Sequence, residues 1–313
     1  MQDQRHTPLY RFWTPNHWGA WLGLGLLRLT CWLPYKTQIG LGKSLGRLAH
    51  RIAAQRRAIA RRNLALAFPD LSAAERNELA LHHFEALGAS VMEWGLGRWS
   101  SYAKLEKLIH FEGMEHLHHA MKDGGGVILL SAHFTPLEIS GRVLTEKIGR
   151  MDGVYRKNRS EFMTAILLSG REMSVRRAIE KNDIKSMIRS LRDGVPVWYA
   201  PDQSYNRKQS AVIPFFGVPA MTNIATSTLA RAGRAVAVPY FSHRLPEGGY
   251  RITILPPIEG VPSKDPVADT KKFVALLEAQ IRLAPEQYYW VHRKYKGLPD
   301  PLPDYYADLD AWK

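Results

Sequence analysis

The segment GVILLSAHFTPLEISG, residues 126–141, constrains the fold of this chain more than any other. Residues 127–130 are a continuous apolar run behind three glycines, which is typical of a strand buried on both faces in a parallel sheet. His133 stands where that strand should end, and a helix should begin just after it. Open α/β sheets bind ligands at the carboxyl ends of their strands. The segment therefore predicts an α/β fold with a potential catalytic base at the edge of its sheet.

Glu138 follows His133 by five residues, and two roles fit it. Across a strand-to-helix turn, its carboxylate is within reach of an imidazole that it would orient and stabilise in the charged form. The sequence Thr135-Pro136-Leu137-Glu138 is also a capping box, with Thr135 as N-cap and glutamate at the third helical position. Spacing alone does not separate a catalytic glutamate from a capping one.

The net charge is the most unusual property of the composition. The 313 residues carry 43 Lys and Arg against 29 Asp and Glu, a formal net charge of +14. Such an excess indicates an anionic partner, which is a membrane surface, a phosphorylated substrate, an acidic protein or nucleic acid. The single cysteine, Cys31, excludes an intrachain disulfide and is interpreted as a packing residue. Neither CxxC nor HExxH occurs, and we predict no metal site and no cofactor.

The most apolar stretch, residues 18–35, predicts membrane attachment. It is short for a full span, which takes about 20 residues, and tryptophans bracket its ends as they do at membrane interfaces. Basic residues follow it, which favours a cytoplasmic location for the remainder. We expect residues 1–38 to be an N-terminal membrane anchor, which either spans the bilayer or lies in its interface. A core helix is the alternative.

The rest of the chain divides into a helical lead, an α/β core and a tail. Residues 39–66 are predicted to be a basic amphipathic helix, which suits an anionic membrane surface or a solvated arginine face. A second capping box, Ser72 to Glu75, opens a helix to about residue 97. Strands are predicted at 126–131, 152–156, 195–200, 235–241 and 250–256. Helices are predicted at 136–147, 159–181, 184–193, 222–232 and 270–284. We expect a single domain, 39–313, with a helical lead 39–110, an α/β core 111–298 and an extended tail 299–313.

Two further polar residues follow predicted strands, and two segments combine aromatic with polar residues. Arg156 ends the strand at 152–156, where a guanidinium would hold phosphate bidentately, or it is a surface arginine. Asp202 follows the strand at 195–200 and would pair with Arg156, bind a sugar or cap a loop. The irregular segment 213–222 would expose aromatic side chains to an acyl groove, or bury them. The segment 288–296 mixes aromatic and basic side chains, which suits nucleic acid or an anionic head group.

Four motifs in order, together with the apolar N-terminus, resemble the lipid A biosynthesis lauroyl/myristoyl acyltransferase family. HFTPLE matches its histidine-x4-acid motif, VYRKN its second block, YAPDQSY with VIPFFGVPAMT its third, and PEQYYWVHRKYKG its closing signature. The resemblance covers nearly the whole chain to about residue 299. It departs at Lys157 and Asn206, where proline and glycine are common. The resemblance implies that the catalytic and substrate-binding residues are His133, Glu138, Arg156, Asp202, Phe215, Phe216, Gly217, Thr222, His292 and Arg293.

The resemblance also implies a fold and a reaction. The fold would be like that of the glycerolipid acyltransferases, a mixed and mainly parallel sheet flanked by helices. The reaction would move a fatty acyl chain from an acyl carrier protein thioester to a hydroxyl on a 3-hydroxyacyl chain of a lipid A precursor. His133 would be the general base, oriented by Glu138, at the cytoplasmic face of the inner membrane, whose anionic surface would be a partner. Two alternatives remain, which are a glycerolipid or lysophospholipid acyltransferase and a basic nucleic-acid-binding protein, although we expect no nucleic-acid partner.

Overall fold

The computed structural model describes residues 8–122 and 124–312. The helices are α1 Trp18–Thr30, α2 Tyr35–Ile52, α3 Ala54–Ala67, α4 Ala73–Trp99, α5 Tyr102–Glu106, α6 Met114–Lys122, α7 Leu137–Ile148, α8 Glu161–Arg171, α9 Ile184–Arg192, α10 Ala225–Gly233 and α11 Pro266–Leu283. The strands are β1 Ile109–Glu112, β2 Gly126–Leu130, β3 Asp152–Tyr155, β4 Arg177–Glu180, β5 Val197–Tyr199, β6 Ser210–Phe215, β7 Val218–Asn223, β8 Ala235–Arg244 and β9 Tyr250–Ile254.

Seven of these strands form one sheet in the order β1-β9-β8-β2-β5-β3-β4. Every neighbouring pair is parallel except β8 and β9, which are antiparallel as the turn at 246–249 predicts. The prediction of a mixed, mainly parallel sheet flanked by helices is therefore confirmed. The antiparallel pair is internal, however, because β1 adds a parallel strand outside β9.

Strand β2 lies at the centre and is buried on both faces, as its apolar run predicts. Val127 and Leu129 belong to one hydrophobic cluster, together with residues of α6 and α7. Ile128 and Leu130 belong to a second cluster on the opposite face, together with residues of α9, α10 and α11. The carboxyl end of β2 is therefore held from both sides, and the loop that carries His133 starts from a rigid base.

Two predicted helices are divided in the structure. The segment 39–66 contains parts of α2 and α3, which meet at Ala53, a residue with non-helical backbone angles. The segment 159–181 holds α8 and then the edge strand β4, which pairs with β3. An ion pair between Arg176 and Asp152, with 2.6 Å between Nη2 and Oδ2, stands beside that pairing. The capping box at Ser72 and Glu75 is confirmed at the start of α4.

Helix α4 is the long support on which α2 packs. Glycines bring the two helices together: a Cβ atom on Gly46 would stand 2.7 Å from the Cα of Glu85, and one on Gly88 would stand 2.0 Å from the carbonyl oxygen of Gly42. Because the glycine side of α2 faces α4, its predicted apolar side, which includes Leu41 and Leu45, is exposed.

The prediction of a membrane-spanning N-terminal anchor is not supported. Helix α1 has 13 residues, against about 20 for a span. Among the residues that the structure describes, no helix has both the length and the apolar character that crossing a bilayer requires. Two arginines of α3, which were predicted to face a membrane surface or solvent, form contacts within the protein. Arg56 donates to the carbonyl of Val291 at 3.2 Å, and Arg62 pairs with Asp308 at 2.6 Å.

Candidate active site

His133 and Asp202 meet at the carboxyl edge of the sheet. They follow β2 and β5, which are neighbouring parallel strands, so their loops leave the sheet side by side. The imidazole Nδ1 lies 2.6 Å from Oδ1 of Asp202, and the main-chain N–H of His133 donates to Oδ2 at 3.1 Å. The Asp202 side chain is 1% exposed and that of His133 is 33% exposed. A carboxylate on Nδ1 fixes the tautomer in which Nε2 is free to accept a proton.

The Asp202 carboxylate is held in its charged form. Burial alone would raise its pKa, but the charge of His133, the two hydrogen bonds from His133 and the charge of Lys294 together lower the pKa to about 2. Asp202 is therefore ionised at any physiological pH, and it supplies the negative charge that an imidazolium needs.

Lys294 is a buried cation beneath this pair. It is 3% exposed, its Nζ donates to the main-chain carbonyl of Asp202 at 2.6 Å, and it lies over the ring of Phe215 at 4.6 Å. Burial lowers the pKa of Lys294 to about 8, although the negative charge of Asp202 acts to raise it. The sequence placed Lys294 inside the closing signature but gave no sign that it is buried.

The closing signature forms a wall along the histidine loop. The main-chain N–H of Tyr289 donates to the carbonyl of His133 at 3.0 Å, and that of Thr135 donates to the carbonyl of Gln287 at 2.8 Å. Between them, Phe134 and Tyr288 form an isolated antiparallel bridge. The loop that carries the histidine is therefore fixed on both sides by main-chain hydrogen bonds.

A buried ion pair supports the same loop from behind. Both Arg244 and Glu93 are buried, and they form two hydrogen bonds, of 2.5 Å from Nε and 2.7 Å from Nη2. The side chain of Gln287 bonds both main-chain groups of Arg244, at 2.7 and 2.9 Å. Nη2 of Arg244 also stands 3.5 Å from the hydroxyl of Thr135. None of these partners was predicted, because they are far apart along the chain.

Glu138 does not occupy the position expected for it. The acid on Nδ1 of His133 is Asp202, and Glu138 instead pairs with Arg171 of α8, whose Nε lies 3.2 and 3.1 Å from its two carboxylate oxygens. The predicted capping box is also absent, because α7 begins at Leu137 with Pro136 as its N-cap and without a side-chain cap hydrogen bond. Thr135 does not cap the helix because its main-chain N–H donates to the carbonyl of Gln287 and its hydroxyl accepts from Arg244.

The pair of Glu138 and Arg171 lines a pocket between α4, α7 and α8. The apolar residues of the pocket wall are Trp94, Leu137, Met151, Val175 and Trp198, and its other arginines are Arg98 and Arg142. The first two residues of α7, Leu137 and Glu138, belong to the wall of this mostly apolar pocket, and α7 follows the histidine loop directly along the chain.

Arg156 lies at the same sheet edge, exposed, after β3. Other basic residues surround it. Burial and then the charges of Arg156 and Arg207 lower the pKa of Lys181, which follows β4. Burial and then the charges of Arg156 and Arg293 lower the pKa of Lys296. The edge that carries His133 and Asp202 therefore also carries a concentration of positive charge.

The predicted aromatic groove is absent at 213–222. These residues belong to the hairpin of β6 and β7, whose two-residue turn is Phe216-Gly217, with φ of 51° and 76°. Positive φ at both positions is what a type I′ turn requires. Phe215 is fully buried against Tyr288, Trp290 and Tyr295, and Thr222 is buried with its hydroxyl on the carbonyl of Ala220. Phe215 and Thr222 therefore pack the core, and Phe216 with Gly217 forms the turn.

His292 and Arg293 directly precede the buried Lys294 along the chain, and their surroundings differ. Burial lowers the pKa of His292 to about 3, so it is neutral and contributes no charge to an anionic head group. The guanidinium of Arg293 lies over the ring of Tyr306 at 5.5 Å. Among the described residues, no group of three or more His, Cys, Asp or Glu side chains is arranged to hold a metal ion.

The fold and this arrangement define an α/β protein with a histidine–carboxylate pair at the ligand-binding edge of its sheet. The chain belongs to the bacterial lipid A biosynthesis acyltransferases, whose family model matches residues 8–297, and it is an acyltransferase. It is 35% identical to the lipid A biosynthesis lauroyltransferase of Escherichia coli K12, over 93% of this chain and 96% of that protein. It is 35% identical to the palmitoleoyltransferase of the same strain over 92% and 94%, and 26% identical to its myristoyltransferase over 90% and 88%.

Proposed function

We propose that this protein transfers a fatty acyl chain from an acyl carrier protein thioester to a hydroxyl of a 3-hydroxyacyl chain on a lipid A precursor. The observation that carries the proposal is the 2.6 Å contact between Nδ1 of His133 and Asp202, because it leaves Nε2 of a partly exposed imidazole free to act as a base. The family supports the substrate class. The two relatives at 35% identity are named for different acyl chains, so the proposal specifies no chain length.

The proposed reaction needs only acid–base chemistry. Nε2 of His133 takes the proton of the acceptor hydroxyl while its oxygen attacks the thioester carbonyl carbon. The tetrahedral intermediate then collapses, the C–S bond breaks, and the imidazolium returns its proton to the departing thiolate. The products are the ester and the free thiol of the carrier. Asp202 stabilises the imidazolium between the two proton transfers, as the acid of a Ser-His-Asp triad does.

Glu138 was expected to orient His133, and we assign it a different role, which is to line the pocket for the donor. Glu138 and its partner Arg171 both line the mostly apolar pocket at the start of α7. We assign this pocket to the acyl chain of the donor, since its lining is mostly apolar and its polar residues are three arginines, Glu138 and Ser174. Glu138 and Arg171 would then position the thioester at the mouth of the pocket.

The basic residues at the sheet edge would receive the acceptor. Lipid A precursors carry phosphate groups, and Arg156 with Lys181 and Lys296 forms a positive surface beside the catalytic pair. An acceptor of this kind also resides in a bilayer, so the protein would work at the inner membrane.

The test is acyl transfer in vitro with purified protein, acyl carrier protein thioester as donor and lipid A precursor dispersed in detergent. We expect His133→Ala to abolish transfer, while His82→Ala, which changes an exposed histidine on α4, retains it. Glycerol 3-phosphate as acceptor should give no product. Near-normal turnover by folded His133→Ala protein, or transfer to glycerol 3-phosphate in place of lipid A precursor, would refute the proposal.

A further inference from the structure

Three buried hydrogen-bond donors in the pocket between α4, α7 and α8 have no acceptor. Nε and Nη1 of Arg142 are shielded from solvent, as is Nε1 of Trp198, and none of these three atoms has a hydrogen-bond partner among the described residues. Both side chains line the pocket. A buried N–H group that stays unpaired costs free energy, so native proteins pair nearly all of them. The acceptor that this pocket lacks is one that a ligand would supply.

The pocket also carries one positive charge without a counter-ion. Of its three arginines, two pair with a carboxylate: Arg171 with Glu138, and Arg142 with Glu146, where 2.5 Å separates Nη2 from Oε1. The third is Arg98, whose pKa burial lowers, and no carboxylate in the part of the chain that the structure describes pairs with it. A buried charge is costly unless it is paired. One monoanion in the pocket would therefore balance its charge.

Neutral groups hold Arg98 in place. Its Nη1 donates to the hydroxyl of Ser169 at 3.0 Å, and the guanidinium lies 5.7 Å from the ring centres of both Trp94 and Trp99. These contacts orient the guanidinium without neutralising it. Its charge is therefore available to a ligand in the pocket.

The rest of the lining indicates what kind of anion fits. Leu137, Met151 and Val175 are apolar, and the rings of Trp94 and Trp198 complete this wall. An inorganic anion would leave the apolar wall without a partner, whereas a fatty acid has a carboxylate at one end and an apolar chain along the rest. A carboxylate carries one negative charge and about four lone-pair sites. These match one unpaired cation and the open donors.

We propose that this pocket binds a free fatty acid, with its carboxylate held by Arg98, Arg142 and Nε1 of Trp198 and its chain against the apolar wall. Hydrolysis of an acyl thioester releases such an acid. Because the same wall is assigned to the acyl chain of the donor, a bound fatty acid competes with the donor and slows transfer when free acid accumulates. Only this competition rests on the proposed function; the binding of the acid does not.

The experiment is calorimetric titration of the full chain with laurate, below the concentration at which laurate forms micelles. Dodecanol has the same chain without the charge, dodecylamine has the opposite charge, and acetate has the carboxylate without the chain. Arg142→Leu removes the open guanidinium, and Trp198→Phe removes the N–H group but keeps an aromatic ring. The matched control is Arg150→Leu, which removes an exposed arginine two residues after the end of α7.

We expect laurate to bind, acetate not to bind, and dodecanol and dodecylamine to bind about tenfold more weakly or less, because neither offers the buried donors an anionic acceptor. Arg142→Leu should weaken laurate binding by about 10- to 100-fold and Trp198→Phe by roughly 3- to 10-fold. Both variants should keep their affinity for dodecanol, and Arg150→Leu should keep its affinity for laurate.

Three results would overturn the proposal. Equal affinities for laurate and dodecanol would mean that the pocket recognises the chain alone. An unchanged affinity for laurate in folded Arg142→Leu and Trp198→Phe proteins would place the carboxylate elsewhere. Absence of laurate binding to the unmodified chain would mean that the open donors of the pocket bind water only.

Acyl transfer separates this proposal from the proposed function. With the acyl carrier protein thioester as the varied substrate, laurate should raise the donor KM and leave kcat unchanged. If laurate binds in the expected pattern while the unmodified chain transfers no acyl group, the proposed function fails and the fatty-acid site stands. If transfer occurs and bound laurate leaves the donor KM unchanged, the competition is refuted, and with it the assignment of this pocket to the donor.

Discussion

Replacing Asp202 with asparagine separates the two acids that the sequence offers to His133. The carboxylate of Asp202 accepts from Nδ1 of the imidazole at 2.6 Å and from the main-chain N–H of His133 at 3.1 Å. Asparagine has nearly the same shape, but its amide can donate to Nδ1. The proton would then move to Nε2, and the histidine could no longer accept the proton of the acceptor hydroxyl.

The size of the effect follows from the pKa of Asp202. Its fall from 3.8 to about 2 corresponds to about 2 kcal/mol in favour of the charged form, despite burial. The loss of a charge interaction of that order with the imidazolium slows the reaction by roughly 10- to 100-fold. The inverted tautomer adds to this, so we expect kcat to fall by about 10²- to 10⁴-fold. The same carboxylate stabilises the fold above about pH 4, and that contribution is lost as the pH falls through about 2.

The assay is the pH dependence of kcat/KM for acyl transfer, with Glu138→Gln as the matched variant. Asp202→Asn should lower the rate and move the acid limb of the profile to lower pH, because protonated His133 loses its stabilising charge. Glu138→Gln should also lose activity, since it leaves Arg171 without its carboxylate, but the acid limb should stay in place. Arg171→Gln should resemble Glu138→Gln, and the double variant should lose little more than either.

The opposite pattern would refute the assignment. If Asp202→Asn keeps most of its activity with an unmoved profile, while Glu138→Gln moves it, then the acid that serves His133 is Glu138. The contact with Asp202 would in that case be a structural one.

Three further predictions concern the frame of the site and its charge. Gly46→Ala should destabilise the protein by about 1–3 kcal/mol, because the new methyl group meets the backbone of α4, while Gly40→Ala in the same helix, with nothing within 4 Å, should be neutral or slightly stabilising in urea denaturation. Stability should rise between about pH 8 and 10, as the folded protein has already released the Lys294 proton that the unfolded chain still binds. The Lys294→Met variant should not show that rise when its free energy of unfolding is measured by denaturation at pH 7.5 and at pH 9.5. Arg156→Lys should raise the KM for the acceptor and Arg156→Ala should raise it more, with little change in the donor KM; a change in the donor KM alone would contradict this.

The sequence predicts the centre of the fold better than its edges. Strands β2, β5 and β8 are largely apolar because both faces of the sheet are covered there. The bounds of each were predicted to within a few residues. Strand β4 was missed because Arg177-Ala-Ile-Glu is short and lies at the sheet edge, where a single buried face leaves a weak pattern. The β6–β7 hairpin was missed because its turn is Phe216-Gly217, in which a bulky residue takes a positive φ that favours glycine or asparagine.

The catalytic pair shows which part of a site a sequence cannot supply. The strand edge that carries His133 is a local property, and it was predicted from the consecutive residues 126–141. The acid that reaches its Nδ1 depends instead on the pairing of β2 with β5, which sets Leu130 beside Tyr199 and so brings the loops after the two strands together. Asp202 is 69 residues from His133 along the chain, whereas Glu138 is five away. Proximity in sequence favoured Glu138, but α7 turns that side chain towards α8, where Arg171 offers it a full charge. Asp202 is buried and Glu138 is not, so water does not screen the charge that Asp202 places on the imidazole. Substitution of Asp202 is therefore the sharper test of the mechanism.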